Sequence, residues 1–544
     1  MRVVGKFAVL MAVLAGLLGF AGSAMATDFC VPDTSIPGCP AGAVLPPGSD
    51  AAAKIESGMA GNSADGTPDT VHIGAGTYVD PDSFTATGSD PLTVVGAGRD
   101  QTFLTSGAAS NTYVLNLLSG NTREITVKDL AVVIPASFPN SGGNGAGIVA
   151  RADHFQSIDL ISRNEQSNGV ISPDGGTSFE DFRAFGRSGG SFGGVFYQLG
   201  GCGSGEFTID GAEVSDAGRG LIWNCADVPA TVNRIHFSGV DDAIEVSSGA
   251  QVSVTNALVE SSEGPPIRLY NSENKITSLA LNHLTVVATG DPNQPAIRAR
   301  VDNLASPTKN IEISLANSIV SGFQNTWSLE APDDSTKGNV NLSAAYSDLT
   351  SEGITVGNSY ADQSTGNISA APGFAGITDF HLGASSPAVD AGDPDAISPE
   401  LDLEGNARPL DGDRDGTAVR DMGAYEFDPP PLSCPADPSL CPEDPPTGDT
   451  TAPKVSKVKF RFKRGKGGFL KLRLSEAAKV KVVFTPVPKK HRKTRKFTRK
   501  LKAGANRIEL DKNQLKKGPY KLKILAIDIS GNRSKPVEKV VRAR

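Results

Sequence analysis

Seven short stretches decide the fold: GIVARA (147–152), GVISPD (169–174), GVFYQL (194–199), GLIWNC (220–225), AIEVSS (243–248), PIRLYN (266–271) and AIRARV (296–301). The ladder positions in them are Ile148, Val170, Val195, Leu221, Ile244, Ile267 and Ile297, and the interval from one to the next runs from 22 to 30 residues. Trp327, in NTWSLE, continues the series. A second unit runs out of phase with the first: ITVKDLAVV (125–133), SIDLIS (157–162), FTIDGAEV (207–214), VNRIHFSG (232–239), VSVTNALV (252–259), LALNHLTVV (279–287) and ISLANSIV (313–320). Here an alternating strand is followed by Asp or Asn, as at Asp129, Asn256, Asn282 and Asn317. Two ladders at one period mean that each repeat supplies at least two short strands, and only stacked neighbours can bury their apolar sides. A right-handed parallel β-helix satisfies this. Each coil rises by ~4.8 Å, the aliphatic ladder points inward, and the Asn positions fall at left-handed or side-chain-bonded turns. Leucine-rich repeats lack support in the leucine spacing, and a propeller repeats at about 40 residues or more.

The same repeat accounts for the composition. The chain has 544 residues, 39% of them hydrophobic, which excludes a wholly disordered polymer. Its 60 glycines have no three-residue period, which excludes collagen. The formal charge of −8 hides a split: residues 451–544 carry 31 basic and 5 acidic side chains, and residues 1–450 carry 21 and 55. One well-mixed domain does not read this way.

The opening stretch, MRVVGKFAVLMAVLAGLLGFAGSAMA (1–26), has Arg2 and Lys6 ahead of an apolar core and ends in Ala-Met-Ala. It reads as a secretory signal peptide, because the core falls short of the ~20 apolar residues of a membrane span. No later segment is apolar enough to cross a bilayer, so the expected location is secreted or cell-surface associated. Six cysteines fit export, and short loop closure favours the pairs Cys30–Cys39, Cys202–Cys225 and Cys434–Cys441 among the 15 pairings that six cysteines allow. There is no CxxC, which argues against thiolate redox or zinc chemistry.

VHIGAGTYV (71–79) and LTVVGAGRDQTFL (92–104) resemble the opening coils of secreted, pectin-lyase-like β-helix proteins. Residues 383–427 contain SSPAVDAG (385–392), GNARP (405–409) and DMGAYEF (421–427), and resemble the C-terminal segment called choice-of-anchor Q. The resemblance covers roughly residues 70–427. It implies an exported β-helix and no particular reaction, since such scaffolds carry many functions. The stretch 428–453 is dense in proline and reads as an extended spacer. Beyond it, VKFRF, FLKLRL, KVKVVF, NRIEL and YKLKILAI alternate apolar with basic residues, as a small sandwich with one buried face does. AIDISGNRSKP (526–536) resembles the last hairpin of bacterial Ig-like domains. Most of KKHRKTRKFTRK (489–500) is basic. It reads either as a solvated loop or as a contact with an anionic surface. Export and the near-absence of aromatic residues among the charges argue against nucleic acid.

The expected architecture is all-β: a right-handed parallel β-helix plus a small C-terminal Ig-like β-sandwich. The expected organisation is a signal peptide (1–26), an N-terminal cap and entry segment (27–69), the parallel β-helix (70–382), its C-terminal segment (383–427), the Pro-rich linker (428–453) and the basic sandwich (454–544).

No GxSxG or HExxH motif is present, and the six histidines are scattered. Carboxylates are the better catalytic candidates. Asp216, Asp241, Asp242 and Glu263 precede successive rungs of the ladder, where neighbouring coils place acids at glycosidase-like separations of about 5–10 Å. Glu245, Arg268 and Arg298 come just after the ladder and are candidates for substrate binding, because Arg suits planar carboxylates. They equally read as a surface ion-pair ladder. VDDAIEV is faintly similar to the paired aspartates of polygalacturonases, but that family's NTD, GHG and RIK elements are absent. Asp411, Asp413 and Asp415 match the first half of a calcium loop, with Met422 where the bidentate Glu belongs. Calcium is the one cofactor suggested. An acid-rich turn capping the end of the solenoid is the simpler reading. The leading function is binding of a polysaccharide or cell-surface polymer through the solenoid face. The rival is a lyase or glycoside hydrolase acting on an acidic polysaccharide.

Overall fold

A computed structural model describes residues 26–430 and 452–543, apart from residues 61–65, 108–112, 118–123, 137, 139–144, 152, 164–167, 172–174, 187–193, 199–201, 262, 303–308, 464–466, 488–493, 511–514 and 528–532. Residues 1–25 of the expected signal peptide, the expected pair Cys434–Cys441 and part of the basic run 489–500 lie outside the described residues. The chain divides into two compact units, Met1–Pro429 and Pro430–Arg544.

The first unit is a parallel β-solenoid. An eleven-stranded sheet runs from Phe84–Thr85 to Ile354–Val356, and a second sheet is built from longer strands such as Ile125–Ile134, Gln251–Ser261 and Ile276–Ala288. The longer strands turn a corner through one residue with positive φ: Asp129 (57°), Asn256 (54°), His283 (57°) and Asn317 (52°). Asp and Asn tolerate this region because a short polar side chain can bond locally. On one coil the corner is His283 and not the expected Asn282, whose register partners Thr255 and Ala316 lie within regular strand. The inner rungs Leu115, Ile148, Val170, Phe196, Leu221, Ile244, Ile267, Ile297 and Trp327 stand side by side in register. Phe196, not Val195, takes the third expected rung, so that coil is shifted by one position. The larger ring fits the interior there: Phe155 and Phe179 stack at 4.7 Å, and Phe179 meets the edges of Phe182, Phe196 and Phe207.

The N-terminal end is closed by the strand Asp28–Val31 and the helix Ala51–Met59, whose Ile55 and Met59 are fully buried. Asp50 caps this helix by accepting a 2.9 Å hydrogen bond from the Ala53 amide. Disulfides join Cys30 to Cys39 and Cys202 to Cys225.

Residues 374–427 lie along the outside of the longer-stranded sheet. Phe380, Ala424 and Tyr425 pack on Leu258 and Val287, while Leu382, Ala388 and Met422 pack on Ile319. These three solenoid residues point outward, beside the inward Val259, Val286 and Val320. The strands are therefore apolar on both faces at this place, and a covering segment is required.

The second unit contains a three-stranded antiparallel sheet (Val455–Lys463, Gly467–Leu474, Gly504–Leu510) and a four-stranded one (Arg495–Leu501, Ala478–Pro486, Gly518–Ile527, Val537–Ala543). Leu470, Leu472 and Leu474 of the first share one core with Val480, Val482, Phe484, Leu522 and Ile524 of the second, as in a small β-sandwich.

Candidate functional site

The outward column next to the inner ladder reads Ile171, Tyr197, Ile222, Glu245, Arg268, Arg298 and Ser328 in strict register. It changes from apolar to charged between Ile222 and Glu245. At the edge of the same coils, Gly218, Arg219, Asp241, Asp242, Glu263, Gly264 and Arg268 line an open cleft of about 290 Å³. Three of the four acids expected from sequence meet here with Arg268.

Asp242 is buried at the start of the strand Asp242–Ser247 and lies directly beside Arg219 in the register. Its carboxylate is 2.9 Å from Arg268 Nε and 3.7 Å from Arg219 Nε. Arg268 Nε makes no aligned hydrogen bond, so its attraction to Asp242 is coulombic. Gly220 permits the close stacking beside this pair, since a Cβ there would come within 2.4 Å of the Ala243 carbonyl oxygen. Burial raises the Asp242 carboxyl above its ordinary range against the opposing pull of the two arginines, with Glu245 adding to the rise. Asp241 is also raised, first by burial and then by the neighbouring Glu263 and Asp242. The cleft thus offers an acid inclined to keep its proton, an exposed carboxylate in Glu263 and two guanidinium groups.

The other expected residues fall elsewhere. Asp216 is exposed in a turn with φ 52° and does not line the cleft. Glu245 is buried one coil below Arg268. Arg298 is exposed and 3.5 Å from Glu330 on the next coil. Arg219 was not expected; its signal is the RGL stretch immediately before the Leu221 rung. His236 pairs with Glu260 at 2.7 Å, away from the cleft.

A second polar cluster fastens the covering segment. Arg408 of GNARP is completely buried and donates to His283 Nδ1 (2.9 Å), the Gly423 carbonyl (2.9 Å), the Asp421 carbonyl (3.2 Å) and Glu426 Oε2 (3.2 Å). His283 accepts here and is neutral; burial, then Arg408 and Arg420, hold its pKa well below the usual value. Asp421 is pushed up to about 8 by burial, with Glu426 adding to the rise. Gly423 adopts φ 94°, and a Cβ there would lie 2.6 Å from Thr285 Oγ1, so only glycine lets this turn sit on the coil.

Among the described residues, three acids could share a metal ion: Asp390, Asp411 and Asp413 each bring a carboxylate oxygen within 4.8 Å of the others. Asp390 takes the place expected for Asp415, whose carboxylate accepts instead from the Thr417 amide at 2.6 Å. Asp411 Oδ1 is buried without a partner, which fits a cation ligand.

The fold and cleft define a parallel β-solenoid with a polar lateral site. No protein-family profile and no curated protein matches the chain. Among solved structures, the A-module of a mannuronan C-5 epimerase from Azotobacter vinelandii aligns at 13% identity and TM-score 0.35, covering 63% of this chain and 100% of its own. The ORF18 protein of Geobacillus virus E2 aligns at 10% identity and TM-score 0.27, covering 90% and 83%. The catalytic domain of an α-1,3-glucanase in complex with tetrasaccharides aligns at 9% identity and TM-score 0.24, covering 57% and 67%.

Proposed function

We propose that the solenoid binds an extended polysaccharide or cell-surface polymer across the cleft formed by Arg219, Asp241, Asp242, Glu263 and Arg268. The observation that carries this reading is the convergence of these five side chains from three successive coils on one open site. Carboxylates accept from sugar hydroxyls, guanidinium groups donate to them or to uronate carboxylates, and an open site admits a chain passing through. The leader and the cysteine usage support a secreted or surface-associated protein. The three motif pieces of residues 385–427 support a choice-of-anchor Q type segment, and AIDISGNRSKP supports an Ig-like assignment for the final sandwich.

A second reading, cleavage of an acidic polysaccharide by a lyase or hydrolase reaction, is favoured by the raised Asp241 carboxyl. Asp241 would give up a proton as general acid, and Glu263 would be the second carboxyl group of the pair. One experiment separates the two. The purified protein is incubated with acidic and neutral polysaccharides, with and without Ca²⁺, while unsaturated products, reducing ends and retention on the same polymers are followed. Arg268→Gln should weaken retention about tenfold or more, in line with the loss of a charged contact. Turnover that disappears in Asp241→Asn with retention preserved establishes the enzyme. Retention without turnover establishes binding alone. Retention unchanged in Arg268→Gln removes the cleft from both readings.

A further inference from the structure

The second unit carries positive charge on two opposite surfaces, and the register shows how it is arranged. On the three-stranded sheet, Lys459, Lys471 and Arg507 are lateral neighbours across all three strands. Their strand neighbours Phe460, Leu470 and Ile508 point into the core or against it, so this row faces outward. Arg461, Lys463 and Arg473 are exposed on the same sheet. Phe469 lies among them, with the Arg507 guanidinium 4.3 Å and the Lys471 ammonium 5.3 Å from its ring centre. On the four-stranded sheet, Lys479, Lys481, Lys521 and Lys523 alternate with the buried Val480, Val482, Tyr520, Leu522 and Ile524 and face the opposite way. Compensation is sparse. Among the described residues, Glu538 pairs with Lys521 and Lys523, Glu509 pairs with Arg507, and no ion pair reaches Lys459, Lys471, Lys479 or Lys481.

Like charges placed directly opposite one another on adjacent strands destabilise a sheet. A row of three cations therefore works against folding; Glu509 offsets it at Arg507 and the Phe469 ring faces Arg507 and Lys471, and an external anion relieves the rest. The two-sided arrangement selects among anions. A planar membrane touches one face of a sandwich at a time, and among the described strand residues of the two sheets Val540, beside Lys521, is the one exposed large apolar side chain. A flexible, densely charged chain can engage both faces at once. From this geometry we infer that the C-terminal sandwich is a binding module for a polyanionic polysaccharide, held by the Lys459–Lys471–Arg507 row on one face and by the Lys479–Lys481–Lys523 group on the other. The attraction is long-range, collective and screened by salt. This inference does not rest on the cleft of the solenoid.

The test uses the full-length protein and two triple variants, K459Q/K471Q/R507Q and K479Q/K481Q/K523Q. Affinity is measured for polygalacturonate, neutral dextran, phosphatidylglycerol vesicles and single-stranded DNA at several salt concentrations. The expected result is binding to polygalacturonate that falls steeply with salt, no binding to dextran, and a loss of about tenfold or more in each triple variant at low ionic strength. Combined with Arg268→Gln, each triple variant should lower affinity by the same further factor as it does alone, since distant independent sites add; this separates the sandwich from the cleft. The substituted side chains are exposed, so both variants should stay folded; a Tm close to that of the wild-type protein, measured alongside, excludes unfolding as the cause of lost affinity. Unchanged affinity in both triple variants overturns the inference. So does binding to vesicles without binding to polygalacturonate, or tighter binding to single-stranded DNA than to the polysaccharide.

Discussion

Arg408 shows what a single residue can do in this fold. Its guanidinium is buried among groups whose charges compete. Asp421 and Glu426 are both raised above ordinary carboxylate values by burial, and one cation cannot keep both ionised cheaply. A folded-state pKa raised to about 8 means that the folded protein holds a proton on Asp421 that the unfolded chain releases near 4. Stability from this group is present below about pH 4 and is lost as pH rises toward 8. His283 acts in the other direction. Its lowered pKa contributes stability that is present above about pH 6.5 and lost as pH falls below it. The two effects oppose one another between about pH 4 and 6.5, so the unmasked window is about pH 6.5 to 8. Unfolding free energy should fall across that window, and Asp421→Asn should flatten the slope; equal slopes in urea titrations of the two proteins would remove Asp421 as its source.

Single residues also mark where the sequence could be read and where it could not. The ladder from Ile148 to Ile297 was legible because aliphatic residues recur at coil-length spacing. Val195 and Phe196 are adjacent and both apolar, so alternation alone could not choose between them; the pairing of Phe196 with Val170 and Leu221, with its edge contact to Phe179, settles the register. Asn282 and His283 pose the same ambiguity at the corner, resolved by the register with Asn256 and Asn317. Arg219 became a site residue only when the coils were stacked, because its partner Asp242 lies a full coil further along the chain.

At the scale of elements, the acidic turn at 411–417 brings Asp411 and Asp413 together with Asp390, a residue far from them in the chain. Asp390 arrives from the SSPAVDAG piece, and its two carboxylate oxygens accept from the Asp413 amide and the Val419 amide, each at 2.9 Å. The turn is thus already held by backbone hydrogen bonds. Three acids with one unpartnered buried oxygen still favour a hard cation. Millimolar Ca²⁺ should raise the Tm of the wild-type protein, and Asp411→Asn should lose most of that increase. A Tm indifferent to Ca²⁺ and to chelator would show that the hydrogen bonds alone hold the turn. The covering role of residues 374–427 left a trace that could have been used: Ala257-Leu258-Val259 and Val286-Val287 place apolar residues on both faces of a strand. Sequence periodicity reports that such a face exists and does not report which segment lies on it.

At the scale of the whole molecule, a stack of coils normally owes its stability to nearest neighbours. Here one lateral segment touches several coils at once. Asn256 donates to the Leu401 carbonyl at 2.9 Å, His283 accepts from Arg408, and Asn317 accepts from the Asp393 amide at 2.7 Å. Arg408→Met leaves Glu426 buried without its cation and should cost about 3–5 kcal/mol. Hydrogen exchange should then rise together in strands 251–261, 276–288 and 319–321, while strands 125–134 and 154–162 keep their protection. Acceleration confined to one of the three strands would show that the segment does not link them.

That lateral segment also sets an order of events during synthesis. His283 precedes the arginine that contacts it by several coils' length of chain. The coils bearing Leu258, Val287 and Ile319 can stack as soon as they emerge, but their outer apolar surface stays wet until the chain has continued past Tyr425. A nascent solenoid of this kind is sticky for the whole interval. Chains that stop short of DMGAYEF leave the stickiness in place, so the final residues of the first unit decide whether the finished coils remain apart from one another.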